Sequence, residues 1–381
     1  MHESLVLRSA RLALSGHPPD GEPLTLFSQA QPLAPYRLSL PDHTVLPGLV
    51  NAHEHLQLNA IAPLPGSAHF SNSYDWSAAF QPHFQEPAVK AALAVPAPIR
   101  HWQGALKNAL SGTTTVMHHD PLADICRDPG FPVTVVQPYG WAHSLHWPYG
   151  PDVRNSYHAT PTNVGWFIHL AEGIDAAANA ELHELDALGC LQANTVLIHG
   201  VGLRDADIQR VIEAGAALVW CPRSNLTILG QTLDTRRLRR LFEAGRLALG
   251  TDSRLSGALD LLEELKVAAA HSRFTARELV RLVTVDAHRL LRTHADNDAI
   301  IIRTGSGNPF ADVLRLRRAD LRAVVRAGEP LITDPDFQDW FEERSITYAT
   351  VRLDGRPKLC ARALLGHEAF RHSISEPGLS Y

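Results

Sequence analysis

The sequence has no apolar run long enough to cross a bilayer, and its first residues, Met1-His-Glu-Ser, lack the basic and apolar segments of a secretory signal. We therefore expect no membrane partner. The four cysteines are far apart and form no CxxC pair, which argues against a disulfide framework and against a cysteine metal site: Cys126, Cys190, Cys221 and Cys360. Reduced thiols in a cytoplasmic protein are the expectation.

Lysine is also scarce, because Lys90, Lys107, Lys266 and Lys358 are the only lysines among 35 basic residues. With 40 acidic residues the formal net charge is -5, so the chain lacks the basic footprint of a nucleic-acid-binding protein. Histidine, in contrast, is plentiful at 21 residues. We expect a small-molecule partner and no nucleic acid, and we leave open whether the chain forms a homodimer.

Short apolar strands alternate with helical stretches from residue 44 to about residue 292, which is the pattern of a parallel α/β sheet or barrel. Seven strands are predicted: Thr44–Val50, Thr113–His118, Val133–Pro138, Val164–His169, Thr195–His199, Ala217–Cys221 and Leu247–Thr251. A closed barrel of this type has eight strands. The missing one should fall between Tyr139 and Asn163.

Strand patterns also occur at both ends of the chain. After about Thr293 they appear at Ala299–Ile302, Asp312–Leu316, Ala323–Val325 and Tyr348–Leu353. The sequence therefore predicts an α/β protein with a distorted TIM (β/α)8 barrel, residues 44–293. The barrel would be inserted in a small β-sandwich domain formed by both chain ends, residues 1–43 and 294–381.

Two helices have clear boundary signals. Asp205 is expected to cap a helix that ends at Gly215, with apolar residues on one face. Thr275 and Glu278 form a predicted capping box for a helix that runs to about Leu291.

The segment from Leu46 to His55 reads as a strand that ends in His53-Glu-His55. Because side chains alternate across a strand, both imidazoles should point to the same face. Two imidazoles placed in this way can hold one metal ion. In a parallel barrel the carboxyl ends of the strands are also where active sites lie.

Four later strand ends repeat this pattern of polar residues. His169 ends one strand and Glu172 follows three residues later, while His199 ends the next strand. A further strand ends in the polar turn CPRSN, residues 221–225, and the last strand ends at Asp252. Side chains at these positions would gather at one end of a barrel.

The motifs PGLVNAHEH, GTTT, HLAE, LIHG, CPRSN and GTDS occur in this order over roughly residues 44 to 292. On these motifs the chain resembles the amidohydrolase superfamily, within it the cytosine deaminase-like and triazine hydrolase-like branch that includes chlorohydrolases and guanine deaminases. The flanking β-rich segments also fit this resemblance, although they carry no diagnostic motif.

The resemblance implies that His53, His55, His169 and Asp252 bind one divalent metal ion. Zinc is the expected ion and iron(II) the alternative. It also implies that His199 contacts the substrate or the metal-bound water and that Glu172 transfers protons. Binuclear relatives carry a bridging lysine on the fourth strand, but no lysine lies between residues 107 and 266, which favours a mononuclear site.

Three imidazoles and a carboxylate leave one position open for water, which is typical of a catalytic metal site. The metal lowers the pKa of that water toward about 7 and so supplies hydroxide. Asp252 and His199 can take its proton, and Glu172 can protonate the leaving nitrogen. We expect hydrolytic deamination of a small nitrogenous molecule. Cyclic amide hydrolysis and chloride displacement are the alternatives within the class, and a catalytically silent scaffold or binding protein is the alternative outside it.

Each of these residues also has an ordinary structural interpretation. Glu172 could serve a helix N-terminus, His199 could be a structural histidine, and Asp252 could cap the following helix. The predicted substrate contacts are His199, Arg223, Arg254, His118 and Trp141, of which the last two could instead belong to a solvated aromatic loop. A guanidinium can pair with a carboxylate, so Arg254 and Arg223 suggest an acidic substrate.

Overall fold

The computed structural model describes residues 3–8, 11–12, 24–28, 36–66, 68–294, 297–366, 373 and 375–381. The strands at the amino-terminal end are β1 (Glu3–Arg8), β2 (Arg11–Leu12), β3 (Leu24–Ser28), β4 (Tyr36–Ser39) and β5 (His43–Pro47). In this part of the chain β1 pairs with β3 and β4 in a three-stranded sheet.

Eight parallel strands follow, as a TIM-type fold requires. They are β6 (Leu49–Glu54), β7 (Thr113–His118), β8 (Thr134–Val135), β9 (Gly140–Trp141), β10 (Trp166–Leu170), β11 (Thr195–His199), β12 (Ala217–Trp220) and β13 (Leu247–Leu249). The eighth strand, which the sequence places between Tyr139 and Asn163, is the two-residue β9.

These eight strands form two sheets among the described residues, in the orders β6-β7-β8 and β13-β12-β11-β10-β9. The outer strands β13 and β6 lie side by side, because the backbone N–H groups of Thr251 and Asp252 donate to the carbonyl oxygen of His53 at 3.1 and 3.0 Å. The strands thus form a TIM-barrel-like α/β fold in which the backbone hydrogen bonds between strands do not run continuously around the barrel.

The helices are α1 (Ser73–His83), α2 (Pro87–Ala94), α3 (Ala97–Leu110), α4 (Val153–Ala159), α5 (Ala176–Ala187), α6 (Asp205–Ala214), α7 (Pro222–Leu229), α8 (Thr235–Glu243), α9 (Leu261–His271), α10 (Ala276–Leu282), α11 (Val285–Leu291), α12 (Pro309–Val313) and α13 (Gln338–Glu343). Over the described residues, none of these helices combines the length and the apolar character that a bilayer span needs.

The remaining strands are β14 (Ala299–Arg303), β15 (Ala323–Arg326), β16 (Glu329–Thr333), β17 (Tyr348–Leu353), β18 (Arg356–Ala361) and β19 (Leu379–Ser380). They join the two amino-terminal strands β2 and β5 in one sheet, in the order β19-β17-β18-β16-β15-β14-β5-β2. Both ends of the chain therefore contribute to this sheet. Packing of the β-rich segments as a sandwich stays a prediction.

The predicted strand Thr44–Val50 is wrong in one respect, since it is two strands that separate at Gly48. The first part, β5, pairs with β14 in the mixed sheet, and the second part, β6, pairs with β7 in the barrel. A side chain at Gly48 would meet Thr114 Oγ1 at 2.3 Å, so only glycine fits where the chain passes from one sheet to the other.

Three other boundaries differ from the prediction. The predicted strand Asp312–Leu316 is wrong, because Asn308 caps the first turn of α12 and Pro309 begins it. The residue that caps α6 is Arg204 and not Asp205, although Gly215 ends the helix as predicted, with φ 70°. The capping box of Thr275 and Glu278 is confirmed, but the predicted helix breaks into α10 and α11.

Apolar side chains fill the barrel beneath the carboxyl ends of its strands. One buried cluster draws on six of the strands through Val50, Met117, Phe167, Ile198, Val219 and Ala248. A second, larger cluster lies between the strands and the helices. This packing fixes the strands, so that the residues at their carboxyl ends are held in place.

Candidate active site

Three imidazole nitrogens meet at the carboxyl ends of β6 and β10. Nε2 of His169 lies 3.3 Å from Nε2 of His55 and 3.3 Å from Nε2 of His53. Oδ1 of Asp252, just after β13, lies 3.8 and 3.7 Å from Nε2 of His53 and of His55. A tetrahedral zinc ion with bonds of about 2.0–2.1 Å to nitrogen needs ligand atoms about 3.3–3.4 Å apart. The spacing of these atoms fits such an ion.

Hydrogen bonds of the other ring nitrogens leave the converging atoms free to bind a metal. Nδ1 of His55 lies 2.8 Å from Asp120 Oδ2, and Nδ1 of His169 lies 2.8 Å from the carbonyl oxygen of His143. A carbonyl oxygen accepts only, as does an ionised carboxylate, so each Nδ1 donates, and in the neutral form of each ring Nε2 is the nitrogen that carries the lone pair. Burial lowers the pKa of His55, but the hydrogen bond and charge of Asp120 outweigh it and raise that pKa to about 9, so a metal ion must displace a proton from His55. Burial and neighbouring imidazoles hold the pKa of His53 and of His169 well below the ordinary value, which favours neutral rings.

Two overlapping groups of described side chains could hold an ion. One consists of His53, His55, His119 and His169, and the other of His53, His199 and Asp252, with the ligand atoms of each group within 4.8 Å of one another. His119 donates through Nε2 to the carbonyl oxygen of Ala142 at 3.0 Å, and its buried Nδ1 has no partner among the described residues. Because His53 belongs to both groups, the two groups overlap at one candidate metal centre.

The Asp252 carboxylate is held by its neighbours. Oδ2 accepts from the hydroxyls of Ser224 and Ser256 at 2.8 and 3.0 Å, and Oδ1 accepts from the backbone N–H of Ser253 at 2.7 Å. Asp252 and His199 both have positive φ angles, 58° and 73°. Non-glycine residues in this region are strained and concentrate at functional sites.

Glu172 and His199 form a pair beside the three converging imidazoles. Glu172 Oε1 lies 3.5 Å from Nε2 of His199, whose Nδ1 lies 2.8 Å from Asn225 Oδ1. Both side chains are buried. Burial raises the pKa of Glu172 to about 7, although His199 opposes this shift. A carboxyl group with this pKa can hold and release a proton at neutral pH.

A buried ion pair anchors the segment His53-Glu54-His55 through its central residue. Lys107 Nζ of α3 donates to Glu54 Oε2 at 2.7 Å and to Asn59 Oδ1 at 3.0 Å. Glu54 also accepts from the hydroxyl of Thr251 at 3.1 Å and from the backbone N–H of His55 at 3.0 Å. This hydrogen-bond network therefore connects β6, which carries His53, to Thr251, the residue before Asp252.

A cavity of about 540 Å³ opens above these groups. Its inner end contains His55, His169, Glu172, His199 and Asp252, and its walls contain aromatic residues of α1 and of the segment 147–149. The arrangement of a deep apolar cleft with a few converging polar groups is typical of a small-molecule site.

Comparisons with known proteins agree with this geometry. Residues 158–297 match the Amidohydrolase family. The 5-methylthioadenosine/S-adenosylhomocysteine deaminase of Pyrococcus abyssi is 25% identical over 209 residues, which are 47% of this chain and 49% of the relative. The aminodeoxyfutalosine deaminase of Deinococcus radiodurans is 39% identical over 110 residues, 28% of this chain and 26% of the relative.

A solved structure shares the fold over nearly the whole chain. The zinc-bound adenosine deaminase of Xanthomonas campestris has a TM-score of 0.66 and 19% identity, and the match covers 90% of this chain and 97% of that one. The chain is thus similar to the Amidohydrolase family over residues 158–297 and to this solved structure in its fold. It spans about half the length of the Pyrococcus abyssi relative that it matches.

The structure brings six of the predicted site residues together at the strand ends: His53, His55, His169, Glu172, His199 and Asp252. Arg254, in contrast, does not line the cavity. Its guanidinium donates to both carboxylate oxygens of Glu376 at 2.8 and 2.7 Å and to the carbonyl oxygen of Leu259 at 3.0 Å. The predicted pairing of Arg254 with a substrate carboxylate is therefore wrong.

His199 is the predicted substrate contact that lines the cavity, whereas Arg223, His118 and Trp141 lie outside the cavity wall, as Arg254 does. Arg223 is exposed, and its backbone N–H donates to Glu264 Oε1 at 2.8 Å. His118 is fully buried beside the His101 ring, and Trp141 packs near His119. The prediction that these three side chains contact the substrate is therefore wrong. Residues of α1 and residues 147–149 form the cavity wall in their place.

Asp120 and His119 are the residues of this site that the sequence did not single out as metal-site residues. Both follow β7 in the run His118-His119-Asp120. Their position after the second barrel strand is the signal that could have identified them, because polar residues at such strand ends face the site.

Proposed function

We propose that this chain is a metal-dependent hydrolase that removes an amino group from a small heteroaromatic molecule. The proposal is supported chiefly by one arrangement: three imidazoles and the Asp252 carboxylate converge, and Glu172, with a pKa of about 7, lies at the same end of the cavity. Such a set combines a place for a metal with a proton carrier. The deaminase names of the relatives support the same reaction.

In this proposal one zinc ion is held by His53, His55, His169 and Asp252, with iron(II) as the alternative. When bound, the metal supplies Lewis-acid activation of water. Glu172 holds a proton on its carboxyl group and delivers it to the leaving nitrogen. His199, oriented by Asn225, directs Nε2 toward Glu172 and binds the substrate.

The position of Glu172 favours deamination over the chlorohydrolase alternative. An amine leaves readily only after it is protonated, whereas chloride leaves as an anion and needs no proton donor. A buried acid with a pKa of about 7 therefore suits a nitrogen leaving group. Hydrolysis of a cyclic amide uses the same donor and remains the second candidate. A silent binding protein would have no need of this strained and polar constellation.

We also propose the division into a barrel, residues 44–293, and a β-rich unit from residues 1–43 and 294–381. It is supported by the sheet that joins β2 to β14–β19, whereas β5 (His43–Pro47), which lies in the same sheet, favours a barrel that begins after Gly48. The four cysteines are free and buried, which supports a reducing compartment such as the cytoplasm. A homodimer stays a prediction.

The function is tested by ammonia release. Zinc-loaded protein, protein stripped by a chelator and stripped protein with zinc restored are each incubated with a panel of heteroaromatic amines and cyclic amides. We expect zinc-dependent ammonia from at least one amine. Ring opening of an amide without ammonia would assign the second candidate, and no reaction from fully metal-loaded protein would contradict both.

A further inference from the structure

Arg254 connects the loop after β13 to a segment far along the chain. Its guanidinium donates to both carboxylate oxygens of Glu376 at 2.8 and 2.7 Å, and its backbone N–H donates to Asn59 Oδ1 at 3.2 Å. The Glu376 side chain is fully buried, and only 11% of the Arg254 side chain is exposed. A paired contact of this kind holds a guanidinium in one orientation. Arg254 is therefore fixed in place two residues after Asp252.

The loop that carries Arg254 is compact, so a displacement of Arg254 would reach the Asp252 carboxylate. Oδ1 of Asp252 accepts from the backbone N–H of Ser253 at 2.7 Å, and Oδ2 accepts from the Ser256 hydroxyl at 3.0 Å. Arg254 lies between these two serines and closes the loop by donating through Nε to the carbonyl oxygen of Leu259 at 3.0 Å. The position of Arg254 thus bears on both oxygens of Asp252.

Glu376 is itself held by the mixed sheet of β2, β5 and β14–β19 and by α3. Arg318 Nη1 donates to Glu376 Oε1 at 2.6 Å, and Arg318 also donates to both oxygens of Asp354, between β17 and β18, at 2.9 and 2.8 Å. Gln103 of α3 donates to the carbonyl oxygen of Ser375 at 2.9 Å, and β19 pairs with β17. Residues far from the barrel strands therefore set the position of Glu376.

We propose that Glu376 is a positioning residue of the metal centre, which acts through Arg254 to hold the loop 252–259 so that Asp252 Oδ1 stays beside the converging imidazoles. This role rests on the proposed metal centre. Two guanidinium groups, of Arg254 and Arg318, share the Glu376 carboxylate, so loss of its charge leaves buried cations without their partner. The loop then shifts and Asp252 binds the metal less well.

Zinc affinity, measured by competition with a chromophoric chelator, tests the proposal on the full chain. Glu376→Gln should weaken zinc binding about tenfold, which is the lower end of the effect of losing an outer partner. The amide in Glu376→Gln keeps one acceptor oxygen but turns its NH2 group toward a guanidinium. Parental zinc affinity in Glu376→Gln would overturn the proposal.

Asp354→Asn is the matched control, because it removes a carboxylate from the same Arg318 and leaves the contact between Arg254 and Glu376 intact. We expect parental zinc affinity in Asp354→Asn, even where urea unfolding of the metal-free protein shows a loss of stability. An equal loss of zinc affinity in Asp354→Asn and Glu376→Gln would mean that the network only stabilises the fold, and it would overturn the proposal.

The visible absorption of the cobalt(II)-loaded protein supplies a spectroscopic readout, because it depends on the geometry of the metal ligands. The spectrum of Glu376→Gln should differ from that of the parent, since Asp252 has moved, whereas the spectrum of Asp354→Asn should match it. Identical spectra in the parent and in Glu376→Gln would contradict the positioning role.

A double-mutant cycle shows whether Glu376 acts through Arg254. If it does, adding Glu376→Gln to Arg254→Met should change nothing further, and the double variant should bind zinc within about twofold of Arg254→Met alone. Losses of affinity that multiply in the double variant would show that Glu376 acts by another route, and they would overturn the proposal.

Arg254→Lys keeps the proposal testable if Glu376→Gln does not fold. A lysine keeps the positive charge beside Glu376 but cannot form the paired contact, so zinc binding should weaken about threefold. Parental affinity in Arg254→Lys would overturn the proposal.

Failure of the metal centre and failure of the positioning role give different results. A parent chain that binds no zinc contradicts the metal centre and the positioning role together. A parent that binds zinc and releases ammonia, with unchanged zinc affinity in Glu376→Gln and Arg254→Lys, refutes the positioning role alone.

Discussion

Nδ1 of His55 donates to Oδ2 of Asp120 at 2.8 Å, and the same carboxylate accepts from Tyr149 and from Gln57. Burial alone would raise the pKa of Asp120, but the neighbouring His55 holds it below its ordinary value. One acidic side chain thus orients the imidazole of a proposed metal ligand and an aromatic residue of the cavity wall. Partners of this kind fix the ring orientation of a ligand and strengthen its donor atom.

Asp120→Asn should therefore weaken zinc binding about 10-fold to 100-fold, because the charged acceptor of His55 is lost. Competition with a chromophoric chelator measures the zinc affinity directly. Asp124→Asn is the matched control, since the Asp124 side chain is exposed and pairs only with Arg127 three residues later. Unchanged affinity in Asp120→Asn would show that Asp120 does not position the ligand.

Glu172→Gln should keep the metal and lose turnover by a factor of about 10²–10⁴, the usual contribution of a general acid–base group. The amide cannot deliver a proton, whereas the ligand atoms are left in place. Metal content and kcat are measured on the same preparation. Glu184→Gln, on the exposed side of α5, should behave as the parent. A variant within a few-fold of the parent would remove Glu172 from the mechanism.

Lys107→Met should lower the free energy of unfolding by about 3–5 kcal/mol, because it leaves the buried Glu54 carboxylate without its partner. Urea unfolding of the metal-free protein isolates this effect from metal binding. Lys266→Met removes a partly exposed pair with Glu263 and should cost about 1 kcal/mol or less. Similar losses in both variants would mean that the Glu54 network does not support the fold.

The capping box of α10 predicts a dependence of stability on pH. The side-chain hydrogen bond from Arg239 lowers the pKa of Glu278 from 4.5 to about 2. Since the folded-state pKa is the lower one, this stabilisation is present above pH 4.5 and disappears as the pH falls toward 2. Glu278→Gln should thus cost about 1 kcal/mol at pH 7.

The cost of Glu278→Gln should shrink as the pH is lowered from 4.5 toward 2, because the carboxylate of folded Glu278 is protonated only near pH 2 and both forms of residue 278 are uncharged below that pH. Glu243→Gln, an exposed change on α8, should have no effect at either pH. A cost for Glu278→Gln that stays the same at low pH would show that the ion pair contributes nothing and that only the cap geometry matters.

The convergence of the metal-site residues could be predicted because each is local to a strand end. His53 and His169 lie in the last residues of β6 and β10, His55 and Asp252 come soon after β6 and β13, and in a parallel fold such strand ends meet. The strand β9 was predicted only as a gap, since two residues, Gly140 and Trp141, carry no hydrophobic period.

The environment of Arg254 could not be predicted, because its partner Glu376 is 122 residues away in the sequence. The local sequence around a loop arginine does not distinguish an arginine that contacts the substrate from one that pairs with a distant carboxylate. For α12 the sequence does carry a local signal, since Asn308-Pro309 is typical of a helix start and favours a helix over the predicted strand Asp312–Leu316.

Anomalous diffraction at the zinc edge from crystals of the zinc-loaded protein tests the proposed metal centre most directly. We expect one peak per chain, about 2.0–2.1 Å from Nε2 of each of His53, His55 and His169 and close to Asp252 Oδ1. A peak bound through His119 Nδ1 and remote from Asp252, or a second fully occupied peak, would contradict the proposed centre.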